Sequence, residues 1–308
     1  MNQRVLVRDV NDTGDALTRP RFFRDLIQLT KPMILLTCLI MTGAGLWMSP
    51  VIPSIATVLL AMVGTGLAVG GANALNMYWE RDVDRLMQRT RKRPLPGERL
   101  SPGAALTLGL LMGAASFPIL WMGTNPLTAA LSTFAIASYV LVYTPMKKRS
   151  PLALFVGAIP GAMPALIGWT AATESIGLPG LVLFGIVMLW QLPHFIAIGL
   201  YRQEEYGRAG FKIVPIVCGA QVARRQTALY TAALVVTSAL LVPLGVAGMV
   251  YLAFALAVGA WLFFLSLRML NDGPDNKGAR RYFFATLAYL PVIVIGLFVD
   301  SAFSAFLA

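Results

Sequence analysis

Three side chains that can offer oxygen ligands recur at every fourth position of the sequence: Asn76, Glu80 and Asp84. On a helix, this spacing places all three on one face, with a drift of about 40° per step. Mg²⁺ prefers carboxylate oxygens together with substrate phosphates. Cations that can bind phosphate follow at Arg85, Arg89, Arg91, Lys92 and Arg93. The pattern indicates a magnesium-dependent diphosphate site; the alternative is a solvated loop in which acids offset cations.

His194 is the only histidine of the chain, and it follows Pro193 within an apolar stretch. An ionisable side chain in a membrane-spanning segment is a functional candidate by default, because it is costly to place there. The alternative is a neutral histidine that is hydrogen-bonded between two helices. The residues alone leave both interpretations open.

Composition indicates which elements must position these residues. The chain has 308 residues, of which 57% are hydrophobic and 13% are charged, whereas soluble domains carry about 25% charged residues. We therefore expect an integral membrane protein. The net charge of +11 then reflects cytoplasmic loops, and no nucleic-acid partner is expected. The two cysteines, Cys38 and Cys218, provide neither a disulfide scaffold nor a zinc site.

The placement of charge predicts an all-α protein with nine transmembrane helices. A final apolar run, 282–308, carries only Asp300 and predicts one helix. Four longer segments are almost free of charge, and each is long enough for two crossings of about 20 residues. Glycine and proline near the middle of each segment predict the turn between its two helices. The four segments are 32–79, 100–146, 150–201, which contains only Glu174, and 226–267.

All 25 lysines and arginines lie in the N-terminal tail or after the second, fourth, sixth and eighth predicted helices. With nine helices these places share one side, which the positive-inside rule identifies as the cytoplasm, so the C-terminus is expected outside. We expect a cytoplasmic tail, 1–25, and a nine-helix bundle, 26–308, around a membrane-embedded cavity. The tail resembles neither a transit peptide nor a secretory signal, which favours a bacterial cytoplasmic (inner) membrane.

The motif Asn76-x-x-x-Glu80-x-x-x-Asp84 resembles the first acidic motif of the UbiA-like intramembrane prenyltransferases. The continuation is similar to the heme o synthase branch of that family, with Met87, Arg89, Thr90, Arg93, Pro94 and Leu95 in its spacing. Further segments resemble the same branch in the same order, and the resemblance runs from about 29 to 215. These segments are 143–148, 156–169, and 190–195 with 205–215.

This resemblance implies transfer of a farnesyl group from farnesyl diphosphate to the vinyl group of heme b, which gives heme o for heme-copper terminal oxidases. It implies Mg²⁺ on Asn76, Glu80 and Asp84, with Glu205 as a further carboxylate and Tyr143 as one candidate for handling the added water. The implied diphosphate ligands are Lys31, Arg89, Arg93, Lys147 and Arg202. The implied heme contacts are His194, as propionate partner or iron contact, and Trp190 and Gln191. Heme b is a substrate in this scheme, and heme a synthase or oxidase assembly proteins are expected partners.

The chain departs from the wider superfamily at the second acidic motif. Most members carry several aspartates there, whereas this chain has Glu205-Tyr206 in the segment between Arg202 and Arg208. With fewer acids for a second metal ion, we expect Arg202 and Arg208 to take over part of the diphosphate charge. The lengthened side chain of Glu205 still offers a carboxylate.

Three other functions compete with this interpretation. A related prenyltransferase could act on an aromatic acid, a quinone precursor or a chlorophyllide. A secondary transporter would place charged groups at the membrane midplane, whereas the acids here cluster at one face. A role only in oxidase assembly would leave the acidic motif dispensable.

Overall fold

The computed structural model describes residues 19–307, and all secondary structure in that range is helical. Residues 1–18 of the predicted tail, 1–25, lie outside the described residues. The elements are α1 Arg19–Leu29, α2 Pro32–Trp47, α3 Ile55–Asp84, α4 Pro102–Gly123, α5 Pro126–Ala137, a π-helical segment Ser138–Tyr143, α6 Thr144–Met146, α7 Ala153–Thr173, α8 Leu178–Tyr201, α9 Gln203–Arg208, α10 Val214–Val217, α11 Ala220–Ala239, α12 Met249–Met269 and α13 Lys277–Leu307.

The predicted turns separate helices at the expected places. They join α2 to α3, α4 to α5, α7 to α8 and α11 to α12. Local capping explains three of the helix starts, because Ser54, Ser101 and Asn125 each accept a hydrogen bond from a backbone N–H of the following turn. Proline at the first position of α4 and α5 also suits a helix start, since its missing N–H has no intrahelical partner there.

Seven of the described helices are long and apolar enough to cross a membrane, or eight if α1 and α2, bent by 52°, form one span. The protein is therefore a multi-pass membrane protein. The 20-residue helix α11 is not among these spans, and it carries Arg224 and Arg225 near its start. The predicted boundary between residues 25 and 26 falls inside α1, whose Asp25 pairs with Arg99 at 2.9 Å.

The helices form two groups that meet at α7 and α8. Helices α2, α3, α4, α5 and α7 pack around one another, and α8, α11, α12 and α13 form the second group. Two glycines bring α2 against α7, because a Cβ at Gly45 would collide with the backbone of Ala165 and one at Gly168 with that of Thr42. Small residues permit such close approach between helices in a membrane, where packing rather than hydrophobicity drives association.

Helix α13 is fixed to its neighbours by buried hydroxyl groups. Tyr282 is hydrogen-bonded to Thr231 at 2.6 Å and Tyr289 to Ser238 at 2.7 Å, both on α11. All four side chains are fully buried. Interhelical hydrogen bonds of this kind contribute about 0.6 kcal/mol each in membrane proteins. They hold the part of α13 that faces α8, between residues 282 and 289, in a defined position.

Candidate functional site

The predicted acidic face forms at the end of α3. Asn76, Glu80 and Asp84 are all buried, lie within one helix and line the same cavity. The helix continues to Asp84, so these residues belong to the end of a membrane-spanning helix rather than to the loop that follows it. The rigid helix sets the relative positions of the three side chains.

Each member of the acidic face holds one cation from a different part of the chain. Lys31 Nζ donates to Asn76 Oδ1 at 2.7 Å, and Lys147 Nζ donates to Glu80 Oε1 at 2.8 Å. The third pair, Arg93 Nη1 to Asp84 Oδ2, is also 2.8 Å long. Three predicted diphosphate ligands therefore converge on the predicted metal ligands.

The backbone of Lys31, which pairs with Asn76, is strained. Lys31 has φ 52°, in the left-handed region that a lysine rarely adopts. Asn73, one turn before Asn76 on α3, donates to the carbonyl oxygen of Thr30 at 2.9 Å and fixes the bend between α1 and α2. A strained residue that its surroundings hold in place is a frequent feature of ligand-binding sites.

The π-helical segment positions Lys147 and two tyrosines. The N–H of Thr144 bonds to the carbonyl oxygen of Tyr139, five residues back, and this register directs both Tyr139 and Tyr143 into the cavity. Lys147 lies 4.4 Å from the centre of the Tyr143 ring. Burial alone would lower the pKa of Lys147, but the Glu80 carboxylate, together with the face of the Tyr143 ring, outweighs burial and holds its pKa above the ordinary value. Lys147 is therefore a permanent cation of the site.

The cavity has a volume of about 640 Å³ and two chemically distinct parts. We define its mouth as the charged end, formed by Glu80, Asp84, Lys31, Arg89, Arg93, Lys147 and Lys212. The sequence does not single out Lys212, because its spacing from other residues does not distinguish it from a solvated cation of a loop. Its backbone N–H donates to the carbonyl oxygen of Lys147 at 3.0 Å and so ties the segment before α10 to the mouth.

The other part of the cavity is an aromatic lobe, defined as Trp190, Gln191, His194 and Phe283. The His194 ring stacks on Trp190 at 5.0 Å and on Phe283 at 4.7 Å between centroids. Its Nδ1 lies 2.7 Å from Thr286 Oγ1, so the predicted hydrogen bond between two helices exists, and His194 also lines the cavity. The three predicted heme contacts lie together in this lobe.

Comparisons with known proteins identify the family. The model of the UbiA prenyltransferase family matches residues 38–288. The chain belongs to the UbiA prenyltransferase family. It is 51% identical to the protoheme IX farnesyltransferase of Sorangium cellulosum, over 79% of this chain and 86% of that one. It is 44% identical to the protein of that name from Myxococcus xanthus, over 92% of this chain and 97% of that one.

Solved structures share the fold of this UbiA-family chain at low sequence identity. A digeranylgeranylglyceryl phosphate synthase superimposes with a TM-score of 0.77 and 16% identity. The match covers 91% of this chain and 98% of the synthase chain. A UbiA homolog from Archaeoglobus fulgidus, bound to GPP and Mg2+, gives a TM-score of 0.68 and 16% identity, covering 89% and 99%. At these identities the likeness establishes the fold alone.

The carboxylate of the second acidic motif of this UbiA-family chain is not part of the cavity wall, whereas the neighbouring Tyr206 is. Arg202 Nη1 donates to Glu205 Oε1 at 3.0 Å, and neither residue is among the described side chains that line the cavity. Arg208 is exposed. The other oxygen of Glu205 is buried and has no hydrogen-bond partner between residues 19 and 307. The roles expected for Arg202 and Glu205 remain predictions.

The donor set at the mouth fits a single Mg²⁺ ion that is shared with substrate. Glu80 and Asp84 each give one oxygen to a cation, so each retains a second oxygen for a metal. Within the described residues, no three His, Cys, Asp or Glu side chains cluster as a metal site. Two carboxylates suit an ion that takes its other ligands from phosphate and water. The protein alone would therefore hold this ion weakly, and a diphosphate would complete the site.

Proposed function

We propose that this chain is a protoheme IX farnesyltransferase, which transfers the farnesyl group of farnesyl diphosphate to a vinyl group of heme b and gives heme o. The observation that carries the proposal is one cavity that joins a cationic mouth to an aromatic lobe with the only histidine. The relatives with this name cover nearly the whole chain. They favour heme as the acceptor of the prenyl group over an aromatic acid or a quinone precursor.

The mouth is built to bind a diphosphate. Five basic side chains face two carboxylates there. Lys31, Arg93 and Lys147 are held by the acidic face, whereas the described residues offer Arg89 and Lys212 no ion-pair partner. A diphosphate can therefore bind to Arg89 and Lys212 first. It can then draw the other three cations away from their partners, which leaves both oxygens of Glu80 and of Asp84 available to a metal.

Ionisation of an allylic diphosphate leaves a carbocation and a pyrophosphate with growing negative charge. Mg²⁺ held by Glu80 and Asp84, with Asn76 beside them, would stabilise that charge electrostatically. Lys147 contributes a fixed positive charge at the same place, because Glu80 and Tyr143 keep it protonated. Preorganised charges act most strongly where water is excluded, as in this buried part of the bundle.

The apolar walls of the cavity protect the carbocation until it meets the heme vinyl group. His194, Trp190 and Gln191 receive the heme in the aromatic lobe. The product carries one added water, which must reach the new cation at the vinyl carbon after the carbon–carbon bond has formed. Tyr143 and Tyr206 are the hydroxyl groups of the cavity wall that we assign to handling this water.

The proposed topology has nine spans, with the bent pair α1–α2 as the first and α11 as the seventh. The N-terminal tail, 1–25, lies in the cytoplasm, the bundle, 26–308, spans a bacterial inner membrane, and the C-terminus lies outside. All cations of the mouth then lie at the cytoplasmic face, where a soluble diphosphate is available. Heme a synthase or an oxidase assembly protein is the proposed recipient of the product.

Acceptor competition tests the proposal. Purified protein in nanodiscs is incubated with farnesyl diphosphate, Mg²⁺ and an equal mixture of heme b and 4-hydroxybenzoate, and products are identified by chromatography and mass. The proposal predicts heme o as the main prenylated product. A prenylated aromatic acid instead would replace the acceptor and keep the site. The proposal is refuted if folded protein forms no prenylated product when heme is supplied both oxidised and reduced.

A further inference from the structure

One threonine outside the cavity wall holds two residues of the aromatic lobe. Thr286 on α13 is fully buried and is not among the described residues that line the cavity. Its carbonyl oxygen accepts a hydrogen bond from Trp190 Nε1 at 2.8 Å. Its hydroxyl oxygen lies 2.7 Å from His194 Nδ1. Thr286 therefore fixes the positions of two side chains of α8 at once.

The hydrogen bonds of Thr286 determine the tautomer of His194. A threonine hydroxyl has one hydrogen to donate, and Thr286 Oγ1 donates it to the carbonyl oxygen of Phe283 at 2.5 Å. With its hydrogen used in the bond to Phe283, the same oxygen accepts from His194, and on this basis we assign the imidazole proton to Nδ1. A neutral imidazole carries one proton, which leaves a lone pair on Nε2.

The free Nε2 opens onto the cavity. His194 lines the cavity, and the described residues offer its Nε2 no hydrogen-bond partner. Nε2 keeps some exposed surface, because it is not among the fully buried polar atoms that lack a partner. Trp190 and Phe283 both stack on the His194 ring. The accessible group of His194 is therefore a lone pair that accepts and does not donate.

We propose that His194 coordinates the iron of heme b through Nε2 and that Thr286 is the positioning residue that fixes this tautomer; the inference rests on heme b as substrate. Neutral imidazole is the commonest metal ligand in proteins, and metal-bound histidines usually donate their other N–H to an oxygen of the protein. Thr286 Oγ1 supplies that oxygen. A heme propionate is the poorer partner for His194, because the carboxylate would meet a lone pair rather than an N–H.

Spectroscopy of bound heme, without farnesyl diphosphate, tests the ligand. Wild-type protein in nanodiscs is titrated with heme b, and the absorbance and electron paramagnetic resonance spectra are expected to report a histidine-bound iron. His194→Ala is expected to lose this signature and to regain it when free imidazole is added to fill the vacated place. An unchanged spectrum and affinity in His194→Ala would overturn the inference.

Thr286 is tested by a pair of substitutions. Thr286→Val removes the hydroxyl and is expected to weaken heme binding by about 10- to 100-fold, the usual cost of losing such an outer partner. Thr286→Ser keeps the hydroxyl and is expected to bind heme like wild type. Thr231→Val, which removes another buried hydroxyl that bonds across to α13, controls for general loosening of the bundle. Equal heme affinity in Thr286→Val and wild type would overturn the positioning role; if that variant does not fold, His194→Ala with imidazole decides.

These outcomes are separable from the proposed function. If heme o forms and the heme spectrum of His194→Ala is unchanged, the iron contact is refuted and the proposed prenyltransferase reaction is retained. A histidine-bound heme in a protein that forms no heme o would keep the iron contact and remove the reaction.

Discussion

Asp84→Asn is the substitution that best separates catalysis from folding at the mouth. The side chain is 5% exposed, and Arg93 donates to it at 2.8 Å. Asparagine has the same shape and still offers Arg93 an oxygen, so only the charged character of one hydrogen bond is lost. Hydrogen bonds to charged groups contribute about 1 kcal/mol more than neutral ones. The melting temperature is therefore expected to fall by only a few degrees.

The expected catalytic loss is larger. One of the two carboxylates available to Mg²⁺ disappears, and with it part of the stabilisation of the leaving pyrophosphate. Losing one preorganised electrostatic contact costs about 10²- to 10³-fold in kcat, or roughly 3–4 kcal/mol. We also expect the Mg²⁺ concentration for half-maximal rate to rise. The assay is initial-rate formation of heme o by purified protein across a range of Mg²⁺ concentrations.

Asp82→Asn is the matched control for this substitution. Asp82 lies two residues away on the same helix, but its side chain is 73% exposed and 3.9 Å from Arg81. Exposed ion pairs contribute about 0–1 kcal/mol, so rate and metal dependence are expected to stay within about twofold. The reasoning is refuted if Asp84→Asn keeps the wild-type rate and metal dependence, or if both variants lose activity equally.

Three further predictions concern other parts of the chain. Lys212→Gln removes a mouth cation without an ion-pair partner among the described residues, so KM for farnesyl diphosphate is expected to rise about 10-fold, the effect of one charge-assisted hydrogen bond. Arg149→Gln removes an exposed cation that is not among the described residues lining the cavity; it is the control, and an equal rise in both would contradict the assignment. Gly161→Ala places a Cβ against the glutamine amide of the aromatic lobe, so heme affinity measured by absorbance should fall, whereas Gly43→Ala meets nothing within 4 Å and should leave it unchanged. Asp300→Ala removes the carboxylate that accepts from two backbone N–H groups at the start of α12, so thermal stability is expected to fall by about 1–2 kcal/mol with both KM values unchanged; a changed KM would show that α12 affects the site.

Local spacing predicted the acidic face. The positions of Asn76, Glu80 and Asp84 depend only on the period of one helix, and the structure confirms that they share a buried face. The turn between the two helices of each pair could also be predicted, because Gly and Pro interrupt long apolar runs. Charge placement also predicted a multi-pass membrane protein, and its segment 226–267 included most of α11, which carries two arginines near its start and is not among the candidate spans of the described residues.

Pairing across the fold could not be predicted from the sequence. The partner of Glu80 is Lys147, 67 positions away, and the partner of His194 is Thr286, 92 positions away. A threonine in an apolar helix has no local pattern that distinguishes it from the buried hydroxyls that bond to their own helix, as Thr227 does. The π-helical register that directs Tyr143 into the cavity was likewise invisible, since its hydrogen bonds differ from α-helical ones by a single residue.

The most direct test of the account measures heme mass and pyrophosphate release in the same reaction, with metal removed by EDTA and then restored. The account predicts that heme b gains one farnesyl group and one hydroxyl group from water, that pyrophosphate appears in equal amount, and that both stop without Mg²⁺ and resume with it. Pyrophosphate released without a change in heme mass, or heme o formed at full rate without metal, would contradict it.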